Sequence, residues 1–125
     1  METHDLHAAL RTLGELRIGE ATTEAEAAAS MRMLTSFNRC AIGLVRFSGQ
    51  TPWERHQDDE FLHVLEGEVE LTLLPASGAA PHSTLRAGAV CVVPKGLWHP
   101  QHARATTALM FATSEEGDET SDAED

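Results

Sequence analysis

Two rhythms of apolar and polar residues divide the chain. Near the N-terminus, Leu6, Leu10, Leu13 and, with some drift, Arg17 recur at the spacing of one helical face, with Thr3 placed to cap the start. That pattern predicts an amphipathic helix over roughly the first 17 residues, ended by Gly19. Thr23 followed three positions later by Glu26 forms a capping box that opens the alanine-rich run EAEAAAS as a second, short helix. From Met31 the rhythm changes to short runs rich in Val, Leu, Phe and Thr, broken by turn residues in SGQTP, EGE, PASGAAP, RAG and PKG. The clearest run, EFLHVLEGEVELTLL, reads as two strands joined by a tight turn at Glu66-Gly67, and STLRAGAVCVVPKG reads as a second unit turning at Ala87-Gly88. Six to eight short strands with turns every 8 to 12 residues predict an antiparallel all-β sandwich or barrel.

Length and charge sharpen this picture. A chain of 125 residues is one domain, long enough to hold a core without disulfides. Net charge is −11, but seven acids lie in the final EEGDETSDAED, so the body carries only 13 acidic against 9 basic residues. The tail has too few apolar residues to order itself and is expected to be solvated and disordered. The expected layout is an N-terminal helical segment over residues 1–29, a barrel over 30–113 and an acidic tail over 114–125. An acidic body without a Lys/Arg stripe excludes nucleic acid and anionic membrane as partners. No segment approaches a membrane span, METHDLHAAL lacks the features of a signal peptide, and a cytoplasmic location is expected. Cys40 and Cys91 sit in separate apolar stretches and read as buried free thiols.

The chemistry concentrates in WERHQDDE. On a strand, side chains two apart share a face, so Glu54 and His56 point one way and Arg55 the other. Glu60 follows after the connector Gln57-Asp58-Asp59, and His99 comes 39 residues later, past the PKG turn. Two imidazoles and one or two carboxylates gathered from separate strands suit a first-row divalent metal. By the same parity, Leu62 and Val64 accompany Glu60 into the interior, whereas His63 and His102 face away. His4, His7 and His82 read as solvated, Asp58 and Asp59 as a solvated turn, and Trp53 and Trp98 as packing residues turned opposite to the ligands.

These residues also carry a family resemblance. Glu54-x-His56-x3-Glu60-x6-Gly67 is similar to the first motif of the cupins, G-x5-H-x-H-x3,4-E-x6-G, from its second histidine onward. Gly88-x5-Pro94-x-Gly96-x2-His99 matches the second, G-x5-P-x-G-x2-H-x3-N. The chain thus resembles a small single-domain (RmlC-like) cupin over residues 40–112, which implies a double-stranded β-helix, or jelly-roll barrel, behind a short N-terminal helical segment. Carried over residue by residue, the resemblance implies metal binding by His56, Glu60 and His99. Glu54 stands where the family usually has its first histidine, Ala103 replaces the closing asparagine, and Gly49 comes one position late. Glu54 is then either a fourth ligand or a general base beside the metal, which would be Fe, Mn, Ni or Zn. The resemblance further implies a homodimer and a small organic ligand or substrate, with dioxygenase, isomerase or lyase chemistry among the family's reactions. A metal-free binding or sensing module is the alternative reading.

Overall fold

The computed structural model describes residues 1–19, 22–74, 82–114 and 119–121. The described elements run α1 (Leu6–Arg11), β1 (Leu16–Arg17), α2 (Glu24–Ala29), β2 (Met31–Phe37), β3 (Cys40–Gln50), β4 (Trp53–Arg55), β5 (Glu60–Glu66), β6 (Glu68–Thr72), β7 (His82–Arg86), β8 (Val90–Val93), β9 (Gln101–Ser114) and β10 (Glu119–Ser121). The all-β jelly-roll expectation holds. One sheet runs β1-β3-β9-β5-β8, with β2 on the edge of β3, and β6 pairing both β7 and the start of β9. No helix among the described residues is long and apolar enough to cross a membrane.

Alternation does the sorting that parity predicts. Along β5, Glu60, Leu62 and Val64 are buried and the residues between them are not. Across the strands Leu62 meets Phe111, Val64 meets Leu109, and Val45 meets Leu109, so these side chains share the interior face. The opposite face carries Leu44 and Ala108, which are covered by Leu10 and Leu13 from the N-terminal segment.

That segment departs from its expected form. The predicted 17-residue helix stops at Arg11, with Asp5 rather than Thr3 as its cap. Arg46 of β3 donates to the carbonyls of Leu10 and Leu13 at 2.9 and 2.6 Å, satisfying the end of the helix from a distant strand. Leu16–Arg17 then turns into a parallel strand beside Phe47 and Ser48. The capping box forms as read: the Glu26 amide donates to Thr23 Oγ1 at 3.1 Å and the Thr23 amide to Glu26 Oε1 at 3.3 Å. Ala27 on α2 packs against the cluster of Leu16, Phe47 and Val64, so the N-terminal segment clothes both faces of the sheet.

The two expected hairpins are corners instead. β5 pairs β8 and β6 pairs β7, so a two-stranded ribbon bends where Gly67 and Gly88 face each other. The Ala87 amide donates to Gly67 O at 3.1 Å, and the Gly88 amide to Val64 O at 2.8 Å. Gly67 has φ +82°, and a Cβ there would lie 2.6 Å from Thr107 Oγ1 and 2.7 Å from Thr106 O. Thr107 Oγ1 accepts from the Glu68 amide at 3.1 Å and donates to Glu68 O at 2.8 Å, which pins the corner to β9.

Other local expectations shift too. His82 opens β7 instead of lying in a loop, and residues 75–81 of that loop lie outside the described residues. Of the tail expected to be solvated, residues 115–118 and 122–125 are likewise outside, but Glu119–Ser121 pairs antiparallel with Trp53–Arg55. An open strand edge offers main-chain partners whatever the charge of the incoming side chains. Both cysteines are free, and they are half-buried rather than fully buried.

Candidate metal centre

β4 delivers Glu54 to the mouth of the barrel, the chain turns inward at His56, β5 begins with Glu60, and the Pro94-Lys95-Gly96 turn brings His99 alongside. The main chain ties these pieces together. The His99 amide donates to Glu54 O at 2.9 Å, and the Gly96 amide to His56 O at 3.0 Å. Asp59 Oδ1 accepts from the Lys95 amide at 2.9 Å, and Asp58 pairs with Arg39. The connector read as a solvated turn therefore braces the two halves of the site. Arg39 beside Asp58 holds its carboxyl below the usual carboxylate range.

Glu54, His56 and His99 present ligand atoms all within 4.8 Å of one another. His56 Nε2 lies 3.7 Å from both Glu54 Oε2 and Glu60 Oε1, and the two imidazole centroids are 5.0 Å apart. His99 Nε2 lies 3.0 Å from Glu60 Oε1. The His99, His56 and Glu60 side chains are buried, whereas Glu54 is 38% exposed. The geometry therefore brings together all four residues singled out in the sequence, with Glu54 grouped closely with the two imidazoles and Glu60 set against both.

His99 is the informative ring. Its Nδ1 lies 3.0 Å from Leu97 O, and a carbonyl can only accept, so Nδ1 carries the proton. A neutral His99 then turns the Nε2 lone pair toward a carboxylate oxygen, which needs a proton or a cation to reconcile the two acceptors. Burial pushes the Glu60 carboxyl up; with the imidazoles protonated, hydrogen bonding and charge from His56 and His99 outweigh it, and the net direction is down. Burial and the Glu60 charge push the nearby Cys91 thiol up.

The remaining candidates separate cleanly. His102 Nδ1 lies 3.7 Å from Glu70 and pairs across from Gln50, away from the ligand group, and Arg104 also engages Glu70, at 3.0 Å. His63 lies on the outer face opposite Met110 and Val90. Trp98 stacks beneath Arg55, whose guanidinium is 4.7 Å from the ring centroid. Trp53 corrects the parity reading, because it lines the same cavity as Glu54 and His56. With only three residues, β4 is too short for strict alternation to govern its first side chain. Gln101, also on the cavity wall, carried no signal in the sequence; only its place at the start of β9 puts it there.

The cavity has a volume of about 990 Å³. Leu62, Leu109 and Phe111 form its floor, Phe47 and Val45 one side, and Leu16, Ile18 and Ala27 of the N-terminal segment a second wall. Leu62 lines it as expected, whereas Val64 is sealed in the core beneath.

Residues 44–113 match the family model described as "Cupin domain". No protein with a curated description matches the chain. Among solved structures, a cupin-2 domain-containing protein from Shewanella frigidimarina is 29% identical with a TM-score of 0.59, over 69% of this chain and 80% of that one. Hydroquinone 1,2-dioxygenase from Sphingomonas sp. TTNP3, solved with 4-hydroxybenzoate bound, is 22% identical with a TM-score of 0.58, over 66% of this chain and 64% of that one. Bacillus subtilis oxalate decarboxylase, which has Mn(II) centres, is 18% identical with a TM-score of 0.60; the match covers 72% of this chain and 26% of that protein.

Proposed function

The chain belongs to the cupin domain family, and from that premise we propose that it binds a small organic molecule at a divalent metal held by His56, His99, Glu60 and Glu54. The observation that carries this reading is the His99 ring: Nδ1 is committed to Leu97 O, and Nε2 meets a buried carboxylate. Two imidazoles and two carboxylates suit Fe, Mn, Ni or Zn and would leave a divalent site formally neutral. When bound, such an ion supplies Lewis-acid polarisation of an oxygen on the ligand. Glu60 and His99 hold each other in register, and His56 completes the inner wall. Glu54, the most exposed of the four, would serve either as a fourth ligand or as a general base toward a ligand entering at the mouth. The dioxygenase and decarboxylase neighbours support metal-assisted chemistry on this fold, and the choice of reaction belongs to the site rather than to the fold.

A metal-free binding module is the second reading. The direct 3.0 Å contact between His99 and Glu60 favours it, because an imidazolium–carboxylate pair would satisfy both groups without an ion. Metal analysis of untagged protein, purified without added metal and then offered Mn, Fe, Ni and Zn in turn, separates the two. The metal reading expects near-stoichiometric uptake that disappears in His99→Ala. A folded wild type that refuses all four ions overturns it.

We further propose that the protein is a cytoplasmic homodimer. Val90 and Val92, 56% and 58% exposed, extend an outer sheet face with Phe61, His63 and Met110, and a second copy would cover it. Light scattering should give twice the chain mass, falling to one in Val92→Asp. Two unpaired cysteines suit a reducing compartment.

A further inference from the structure

Among the described residues, the cavity wall combines a large apolar surface with the neutral polar side chains of Thr22, Ser30, Gln50, Thr51, Gln101 and Thr113. Its apolar surface comes from Leu16, Phe47, Trp53, Leu62, Leu109 and Phe111. Among the described residues, the charged side chains on this wall are Glu54 and Glu60, and no Lys or Arg lines it. Arg46, between Val45 and Phe47, reaches Glu66 and the end of α1, Arg17, between Leu16 and Ile18, pairs with Glu15, and Arg32, beside Met31, donates to Ala9 O.

We infer that the ligand is an uncharged molecule with a bulky apolar body and one or two oxygen donors, and that small dicarboxylate dianions are excluded. The reasoning is electrostatic and volumetric. A dianion entering this cavity would meet two carboxylates and no side-chain cation, so any bound divalent ion would already be neutralised before the dianion arrived. A volume of about 990 Å³ is at the upper end for drug-sized ligands, far more than a two-carbon acid fills. An apolar body would instead displace water from the wall that Leu109 and Phe111 share with the N-terminal segment, with its oxygen directed to the Glu54, His56 and Glu60 end. The placement of that oxygen rests on the metal-centre reading above; the apolar, uncharged character of the ligand does not.

The N-terminal segment then acts as a specificity wall. Leu16, Ile18 and Ala27 close the side of the cavity opposite the β5–β9 floor, so substitutions there change which bodies fit without touching the metal ligands.

Calorimetric titration of the full chain with 1-naphthol, oxalate and malonate, alongside metal analysis of the same samples, tests this. The expected result is 1-naphthol binding at least about tenfold tighter than either dianion, and about tenfold weaker in Ala27→Phe, which fills the cavity, with metal content unchanged. Met31→Lys, at an edge position that is 39% exposed and lines the cavity, provides a second variant should Ala27→Phe fail to fold. It should weaken 1-naphthol and strengthen oxalate. Oxalate or malonate binding as tightly as 1-naphthol to the wild type overturns the inference, as does 1-naphthol affinity unmoved in the folded variants. Stoichiometric metal without 1-naphthol binding removes the ligand class and leaves the metal reading standing. Binding of 1-naphthol to protein that takes up no metal does the reverse.

Discussion

His99 and His56 offer the same ligand atom to the same cluster, yet they are held in different ways. His99 is fixed at both ring nitrogens, by Leu97 O on one side and Glu60 on the other, each at 3.0 Å. His56 Nε2 lies 3.7 Å from both Glu54 Oε2 and Glu60 Oε1, and its neighbour Glu54 is 38% exposed. Even the main chain of the His56 half depends on the His99 half, through the amides of Gly96 and His99. We propose that the second motif works as a rigid jig and the first as the adjustable side.

The largest effect that would break this comparison is expected from His99→Ala. It removes the rigid ligand and leaves Glu60 buried against only His56, so metal content should fall to background and stability by about 3–5 kcal/mol in urea unfolding. His56→Ala should lose metal to a similar extent but cost only about 1–2 kcal/mol. Equal destabilisation by the two would show that neither half is the jig.

Acid should act mainly through the rigid half. The Glu60 carboxyl is held below its ordinary 4.5 in the folded protein, so its contribution to stability is present above that value and is lost as pH falls through the lower folded value. Wild type should therefore lose stability steeply below about pH 4.5, as read from urea midpoints between pH 7 and pH 3. Glu60→Gln should be less stable at pH 7 and show a flatter acid limb. A variant with the wild-type acid slope would separate the slope from this carboxylate.

Smaller effects are expected on the adjustable side. Glu54→His should tighten Zn or Ni binding by about tenfold and Glu54→Ala should loosen it by a similar factor or less, with unfolding midpoints nearly unchanged in both. Unchanged affinity in both variants would place Glu54 outside the ligand set and leave only the proton-accepting role. Arg55→Ala, which removes the guanidinium stacked on Trp98, should leave metal affinity alone. A loss of affinity would mean that the outward face of β4 also tunes the site.

Features set by neighbours along the chain were legible before any coordinates. The Thr23–Glu26 box is an i,i+3 interaction, and the inward turn of Glu60 and Leu62 follows from two-residue periodicity within one regular strand. The spacing of Glu54, His56, Glu60 and His99 could be read for the same reason, since motif spacing fixes how far along each strand a ligand lies. Local pattern ran out where partners are remote. α1 ends where Arg46 reaches its carbonyls, a contact 33 to 36 residues away. Gly67 and Gly88 look like hairpin turns because either a turn or a corner needs positive φ, and only the pairing of β5 with β8 and β6 with β7 decides between them. Trp53 reaches the cavity because β4 is too short to keep its phase, and Glu119–Ser121 pairs because β4 leaves an edge open.

The sequence by itself determined which side chains could bind a metal, which faces of the strands are apolar and that the chain is an all-β sandwich or barrel, because these depend on residue type and short-range periodicity. Tertiary structure alone decided that His99 has a partner at both nitrogens, that the Glu60 carboxyl is buried against two imidazoles, and that the described residues lining the cavity include no Lys or Arg. Those properties depend on which remote groups share a few ångströms of space, and the field inside a low-dielectric cavity is set by that company.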